Sequence, residues 1–337
     1  MSTRATISDV AKQSGVSIST VSRVLNGTAV VDEETAERVR NAIEALSYTP
    51  HAAARTLASR RTNTIGLLLL DIGGEFYTPM LRGIEAVASE AGFDLLIHST
   101  ITAASGKVTR RALGEHNTDG LLVFTGALDV AELTRLNEIG FPVVLLHESA
   151  PDSLDIPVIT IENQSGAQKV VDHLIDAHGC KRIVYLRGPA DNEDSAQREK
   201  GYRQSLRKHN LPYDPCLVAQ GGYEPNQAHA TVAQMLSDGL EFDAIFTGDD
   251  DNAVGVIQAL REAGRRIPED VAVAGFDDSL FARILTPPLT TVRAPIEQVG
   301  RESVRQLIRL IRGEEVETSL VLPTELVIRQ SCGCNRQ

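Results

Sequence analysis

The chain has 337 residues, enough for about two or three domains that each bury a core. With 42% hydrophobic and 23% charged residues it has the composition of a globular protein, and no window approaches the roughly 20 uncharged apolar residues of a membrane span. A net charge of −12 looks wrong for a nucleic-acid binder until it is divided: residues 1–62 hold eight basic and six acidic residues, and the remaining 275 hold 25 and 39. An acidic body is repelled by phosphates, so any DNA contact is confined to the small head.

At the N-terminus, Ser8, Asp9, Lys12 and Gln13 interrupt any apolar signal-peptide stretch, so a cytoplasmic location is expected. Thr6 reads as the cap of a first helix, with Asp9 near the positive end of its dipole and Gly15 as a left-handed stop. Ile7, Val10 and Ala11 form its apolar face. Ser17 caps a second helix, Ile18 to Leu25, with Val21, Val24 and Leu25 inward. A third helix runs from about Asp32 to Leu46, with Val39, Ala42, Ile43 and Leu46 as its stripe. Two short helices around a tight glycine-containing turn make a helix-turn-helix, whose second helix enters the major groove. The outer face of that helix carries Ile18, Ser19, Ser22 and Arg23. Serine and threonine hydroxyls reach phosphates or base edges, and arginine binds guanine bidentately.

The wording Ile7-Ser8-Asp9-Val10-Ala11, Gly15-Val16-Ser17 and Thr20-Val21-Ser22-Arg23-Val24-Leu25-Asn26-Gly27 closely resembles the head of the LacI/GalR (lactose-repressor) family of bacterial regulators. Tyr48-Thr49-Pro50 and Ala54-Arg55-Thr56-Leu57 resemble that family's hinge. The resemblance implies DNA contacts at Thr6, Ser17, Ile18, Ser19, Thr20, Ser22, Arg23, Asn26, His51, Ala54 and Leu57. It also implies a hinge that folds on DNA and wedges Leu57 into the minor groove, kinking the duplex. His51 stands where the family usually has Asn, which puts that contact in doubt.

From Thr64 the texture changes to alternating strands and helices. Expected strands are Ile65 to Asp71, Phe93 to Ser99, Leu121 to Thr125, Pro142 to His147, Ile183 to Arg187, Ala244 to Thr247 and Val271 to Gly275. Between them lie helices Phe76 to Ala91, Ala131 to Ile139, Gly166 to His178, Gln197 to His209 and Asn252 to Ala263. Such alternation implies parallel sheets with helices on both faces, here as two lobes around a cleft. Ligands bind at the carboxyl ends of strands in such sheets. Those ends are polar or acidic here: Asp71, Thr125-Gly126, Asp249-Asp250-Asp251 and Asp277-Asp278. Carboxylates accept hydrogen bonds from sugar hydroxyls, although the absence of Trp removes one common stacking platform.

The family resemblance continues through Leu81-Arg82-Gly83-Ile84-Glu85, Arg198-Glu199-Lys200-Gly201-Tyr202, Gly275-Phe276-Asp277-Asp278-Ser279 and Leu322-Pro323-Thr324-Glu325-Leu326-Val327-Ile328-Arg329. It implies a small all-α helix-turn-helix head plus a two-lobed α/β sensor with parallel sheets, like periplasmic sugar-binding proteins. The implied division is 1–47 head, 48–62 hinge, 63–161 with 293–322 as one lobe, and 162–292 with 323–337 as the other. Effector contacts carried over residue by residue are Arg198, which heads the Arg-x-x-Gly-Tyr motif, and Asp277; Phe76, Tyr223 and Ser165 follow by position. Asp249 is a further contact, at a position where the family often has Asn.

The expected protein is a repressor, not an enzyme. It would work as a homodimer on a palindromic operator, with a small effector, a sugar or alternatively a nucleoside or purine, and no cofactor. A transport solute-binding protein would need an export signal and no basic head. An α/β enzyme would need the Asp249 to Asp251 cluster to converge on a metal, which three adjacent residues on one turn cannot do. Cys180 and Cys216 sit alone. Cys332-Gly333-Cys334 lacks the second ligand pair of a zinc site, so free thiols and no metal are expected.

Overall fold

A computed structural model of the chain describes residues 5–26, 30–48, 61–70, 73–100 and 113–334. They divide into two compact units, Met1–Thr62 and Asn63–Gln337. The expected hinge contacts His51, Ala54 and Leu57, the strand-end Asp71 and the side chain of Asn26 lie outside the described residues.

Among its described residues the first unit holds three helices: α1 (Ile7–Ser14), α2 (Ile18–Asn26) and α3 (Glu33–Ala45). Thr6 caps α1 in a reciprocal box. Its Oγ1 accepts from the Asp9 amide at 3.3 Å, while the Asp9 carboxylate accepts from the Thr6 amide at 2.9 Å. Gly15 ends the helix at φ 70. Asp32 caps α3 through the Thr35 amide at 2.9 Å. Val10, Ala11, Val21, Val39 and Ala42 form the core, with Ile7, Val24, Leu25, Ile43 and Leu46 around it. These are the residues that the apolar spacing places inward.

The second unit is built on two parallel sheets. The first has six strands: β1 (Thr64–Leu69), β2 (Asp94–Ser99), β3 (Gly120–Phe124), β4 (Val143–Leu146), β5 (Val158–Ile161) and β11 (Ser319–Leu322), in the order β11-β5-β4-β3-β1-β2. Every position of β1, β3 and β4 is buried, as strands covered on both faces require. The second sheet holds β6 (Ile183–Arg187), β7 (Val218–Gln220), β8 (Ala244–Thr247) and β9 (Ala272–Ala274), in the order β7-β6-β8-β9. A short antiparallel pair, β10 (Thr291–Arg293) and β12 (Glu325–Val327), lies in the two later stretches where the chain passes between the sheets.

Helices α4 (Tyr77–Glu90) and α5 (Val130–Glu138) belong to the first sheet. Helices α6 (Asn163–His178), α7 (Glu193–Lys208), α8 (Pro225–Ser237), α9 (Asp250–Glu262) and α10 (Leu280–Ile284) follow, and α11 (Ile296–Ile311) returns to the first sheet. Helices α4 and α11 touch backbone to backbone: a Cβ on Gly83 would come within 2.1 Å of the Glu297 carbonyl oxygen, and one on Gly300 within 2.3 Å of that of Met80. No described helix is long and apolar enough to cross a membrane.

The expected strands and helices are present, with shifted ends. Helix α6 starts at Asn163 instead of Gly166, and α7 at Glu193 instead of Gln197. The extra turn of α7 is held by Asn192, whose side chain accepts from the Ser195 amide at 2.8 Å, and by Glu193 and Asp194 near the positive helix end. Strands β5, β7 and β10 to β12 and helices α8, α10 and α11 fall outside the expected elements. The strands among them are three or four residues long, too short for a period-two pattern to be distinctive.

Candidate functional site

On the head, the expected contact residues cluster at the start of α2. The Ser17 Oγ accepts from the Thr20 amide at 3.2 Å and lies 2.7 Å from the Ser19 hydroxyl and 2.9 Å from that of Thr20. Ser17, Ser19 and Arg23 are exposed, and so is Ile18, at 50% of its surface. An apolar side chain left in water beside three hydroxyls and an arginine is poor packing but suits a surface that meets base edges and thymine methyls. Thr6, at the cap of α1, is also exposed, and Ser22 is half-buried.

In the body, the side chains that matter converge from four elements on Arg198. Its guanidinium is 3% exposed. Nε donates to the Asn163 Oδ1 at 2.8 Å and Nη1 donates to the Gly248 carbonyl. Nη2 lies 3.5 Å from the Asp277 carboxylate and 3.9 Å from that of Asp194, one turn earlier on α7. The guanidinium carbon stacks 3.8 Å above the centre of the Phe276 ring, with the Tyr223 ring at 5.9 Å. Burial opposes this cation, but its interactions with Tyr223, Asp277 and Asp194 outweigh it and hold its pKa above the usual arginine value.

Asp194 accepts from the Asn163 Nδ2 at 2.6 Å and pairs with the His147 Nδ1 at 2.7 Å. Burial raises its carboxyl, and His147 and Arg198 more than compensate, leaving it below the ordinary value. Asp277 goes the other way: burial dominates and Arg198 only partly offsets it. His147 also connects the network to an aromatic wall, with the Phe76 ring centre 5.7 Å and the Phe124 ring centre 5.4 Å from its own.

Two cavities flank the network. One, of about 430 Å³, is lined by Phe76, Asp277, Asp278 and Arg293 among others; the second, of about 340 Å³, by His147, Asn163, Ser165 and Asp194 among others. Of the six expected effector residues, Arg198, Asp277 and Tyr223 meet directly, and Phe76 joins them through His147. Asp249 sits beside Gly248 and caps α9 by accepting from the Asn252 amide at 2.9 Å. Burial and the nearby Asp277 push its carboxyl well above the ordinary value. Ser165 stands apart, 3.5 Å from Glu162, facing only the second cavity.

The three aspartates on one turn have three separate tasks. Asp250 accepts from the Ser279 amide and the Thr291 hydroxyl, both at 2.7 Å, while Asp251 faces the Gly74 backbone across the cleft.

His147, Asn163, Asp194 and Asn252 are absent from the expected effector set. His147 directly follows the end of β4 and therefore obeys the strand-end rule, and Asp194 lies one helical turn before Arg198, so both carried a legible signal. The buried His147 Nε2 and both polar atoms of the Asn252 amide have no hydrogen-bond partner. Such orphaned groups cost about 1–3 kcal/mol each unless a ligand or water reaches them.

Residues 6–51 match the family described as bacterial regulatory proteins, lacI family, and residues 171–332 match a periplasmic binding protein-like domain. The HTH-type transcriptional regulator CelR of Thermobifida fusca is 34% identical over 336 residues, covering 97% of this chain and 98% of that regulator. A solved lac repressor dimer bound to operator and the anti-inducer ONPF is similar with a TM-score of 0.84 at 27% identity, covering 98% of this chain and 99% of that one. A CelR–cellobiose complex is similar with a TM-score of 0.72 at 32% identity, covering 97% and 100%.

Proposed function

This chain belongs to the lacI family of bacterial regulatory proteins and is a transcriptional regulator of that family, and we propose that it is a repressor whose operator affinity is set by a sugar held around Arg198. Residues 1–47 read DNA and 48–62 form the hinge. Residues 63–161 with 293–322, and 162–292 with 323–337, form the two lobes of the sensor.

Arg198 is the observation that carries this reading. Its separations of 3.5 and 3.9 Å from Asp277 and Asp194 exceed the 2.7–2.9 Å or so of a tight charged hydrogen bond. A hydroxyl inserted between them donates to a carboxylate and accepts from the guanidinium, which a sugar does at several positions at once. Phe76 and Tyr223 supply ring faces for its apolar side. CelR with cellobiose and the lac repressor with ONPF support a sugar-like effector, and the latter's dimer on operator supports a homodimer. In a homodimer two copies of α2 would enter successive major grooves of a near-palindrome, and two copies of Leu57 would wedge at its centre. Ligand closure of the lobes then biases hinge folding by differential affinity for two states. A cleft lined by carboxylates and aromatic rings beside a buried arginine supports a sensor that holds a hydroxyl-rich ligand.

A thermal-shift screen of the full chain tests the ligand class. A sugar present at 100 times its Kd stabilises the native state by about 2.7 kcal/mol and raises Tm. Shifts produced only by nucleosides or purines would replace the sugar reading.

A further inference from the structure

The C-terminal tail does not end loosely against the body. Ser331 is tied into the second sheet: its Oγ donates to the Val273 carbonyl at 2.6 Å and accepts from the Thr290 amide at 2.8 Å. Two residues earlier, the Arg329 guanidinium holds the Leu289 carbonyl at 2.8 Å and the Asp278 carboxylate. This anchoring sets Cys332, 2% exposed, and Cys334 beside the last turns of α6, where His173 and His178 project.

The four ligand atoms lie within 4.8 Å of one another, the one such cluster among the described residues. The Cys332 Sγ is 3.5 Å from the His173 Nε2, and the Cys334 Sγ is 3.6 Å from the His173 Nε2 and 3.4 Å from the His178 Nε2. In tetrahedral zinc, with Zn–S of about 2.3 Å and Zn–N of about 2.0–2.1 Å, the sulfur–nitrogen edges come to about 3.5 Å. The two imidazoles stand nearly perpendicular, at 81°, so their Nε2 atoms approach the thiols from different directions. Gly333 is essential to this turn. Its φ is 107, and a Cβ there would crowd the His178 Nδ1 at 3.2 Å.

We propose that His173, His178, Cys332 and Cys334 form a tetrahedral zinc(II) site that staples the tail to α6. The sequence reading expected free thiols because Cys-x-Cys has no second pair nearby. The structure supplies that pair from a helix more than 150 residues earlier in the chain, where His173 and His178 stand at a His-x4-His spacing that zinc sites use. Two thiolates and two neutral imidazoles give a soft, charge-balancing set, and four protein ligands leave no open position, so the site is structural. Binding displaces the two thiol protons. The staple closes the last passage of the chain between the sheets, downstream of β12.

The test uses the full chain, tag removed, purified under a phosphine reductant without chelator. Elemental analysis should find about one zinc per chain. The chelated apo-protein should take up about one equivalent of cobalt(II), with the d–d and thiolate charge-transfer absorption of a tetrahedral S2N2 site, and added zinc should raise its Tm. Cys334→Ser with His178→Gln, both at partly exposed positions, should lose the metal and the cobalt spectrum while still folding by circular dichroism. No zinc and no tetrahedral cobalt spectrum in the wild-type chain, or retention of the metal by the double variant, would overturn the proposal.

Discussion

The head and the cleft handle polar side chains in opposite ways. At the start of α2, Ser17, Ser19 and Arg23 stand in water around an exposed Ile18, with the Ser17 Oγ capping the helix at the Thr20 amide. In the cleft, Arg198, Asp194 and His147 are buried, Asp277 is half-buried beside them, and the four pair with one another, so the residues proposed to hold the effector are also structural members. An exposed side chain such as Arg23, proposed to read DNA, can therefore be altered with little loss of stability. A proposed sensing site built from buried charge cannot.

The largest effect expected from this contrast is at Arg198. Arg198→Met leaves the buried Asp194 and the half-buried Asp277 without their cation, and breaking such a set costs about 3–5 kcal/mol. Urea denaturation should register that loss together with lost effector binding. A variant of native stability would break the comparison from the cleft side.

Next comes Arg23. Arg23→Ala should weaken specific operator binding by about 1–3 kcal/mol, measured by anisotropy against a labelled duplex at fixed salt. Its unfolding free energy from urea denaturation should stay within about 0.5 kcal/mol of wild type. A large stability loss would mean that the head, too, is built on its polar residues.

The smallest effect concerns Asp251. Burial, and then the neighbouring Asp277, Glu75 and Glu224, raise its carboxyl from 3.8 to about 6. The folded chain therefore holds the proton more tightly than the unfolded one, and stability falls as pH rises between those values. Asp251→Asn removes that loss. Its Tm should exceed wild type at pH 8, and the difference should shrink toward zero as pH is lowered to 4. A difference independent of pH would assign the effect to packing instead.

The same contrast explains what the sequence made legible. In the head, local signals suffice: the Thr6 cap, the Gly15 stop and apolar spacing mark each helix and its core face. In the body, the strands that define the two sheets stand out as apolar runs, and Arg198 and Asp277 are carried by family motifs. Asn163 and Asp194 lie in first turns of α6 and α7 that the apolar pattern does not reach, because helix starts there are set by capping and dipole. Asn252 becomes visible only when α9 is brought to the cleft, whereas His147 could have been found from its place at the end of a strand. The His173–His178 pair has a zinc-type spacing, but its meeting with Cys332 and Cys334 depends on a contact across more than 150 residues, beyond the reach of any local pattern.

The central claim is that occupancy of the Arg198 cleft changes the grip of the head on DNA. Its most direct test is an anisotropy titration of the full chain on an operator selected from random duplexes, with and without a saturating sugar identified by thermal shift. The account predicts a change in operator Kd of roughly fivefold or more, in the range of typical coupling energies. A sugar that binds tightly yet leaves operator affinity unchanged would contradict it.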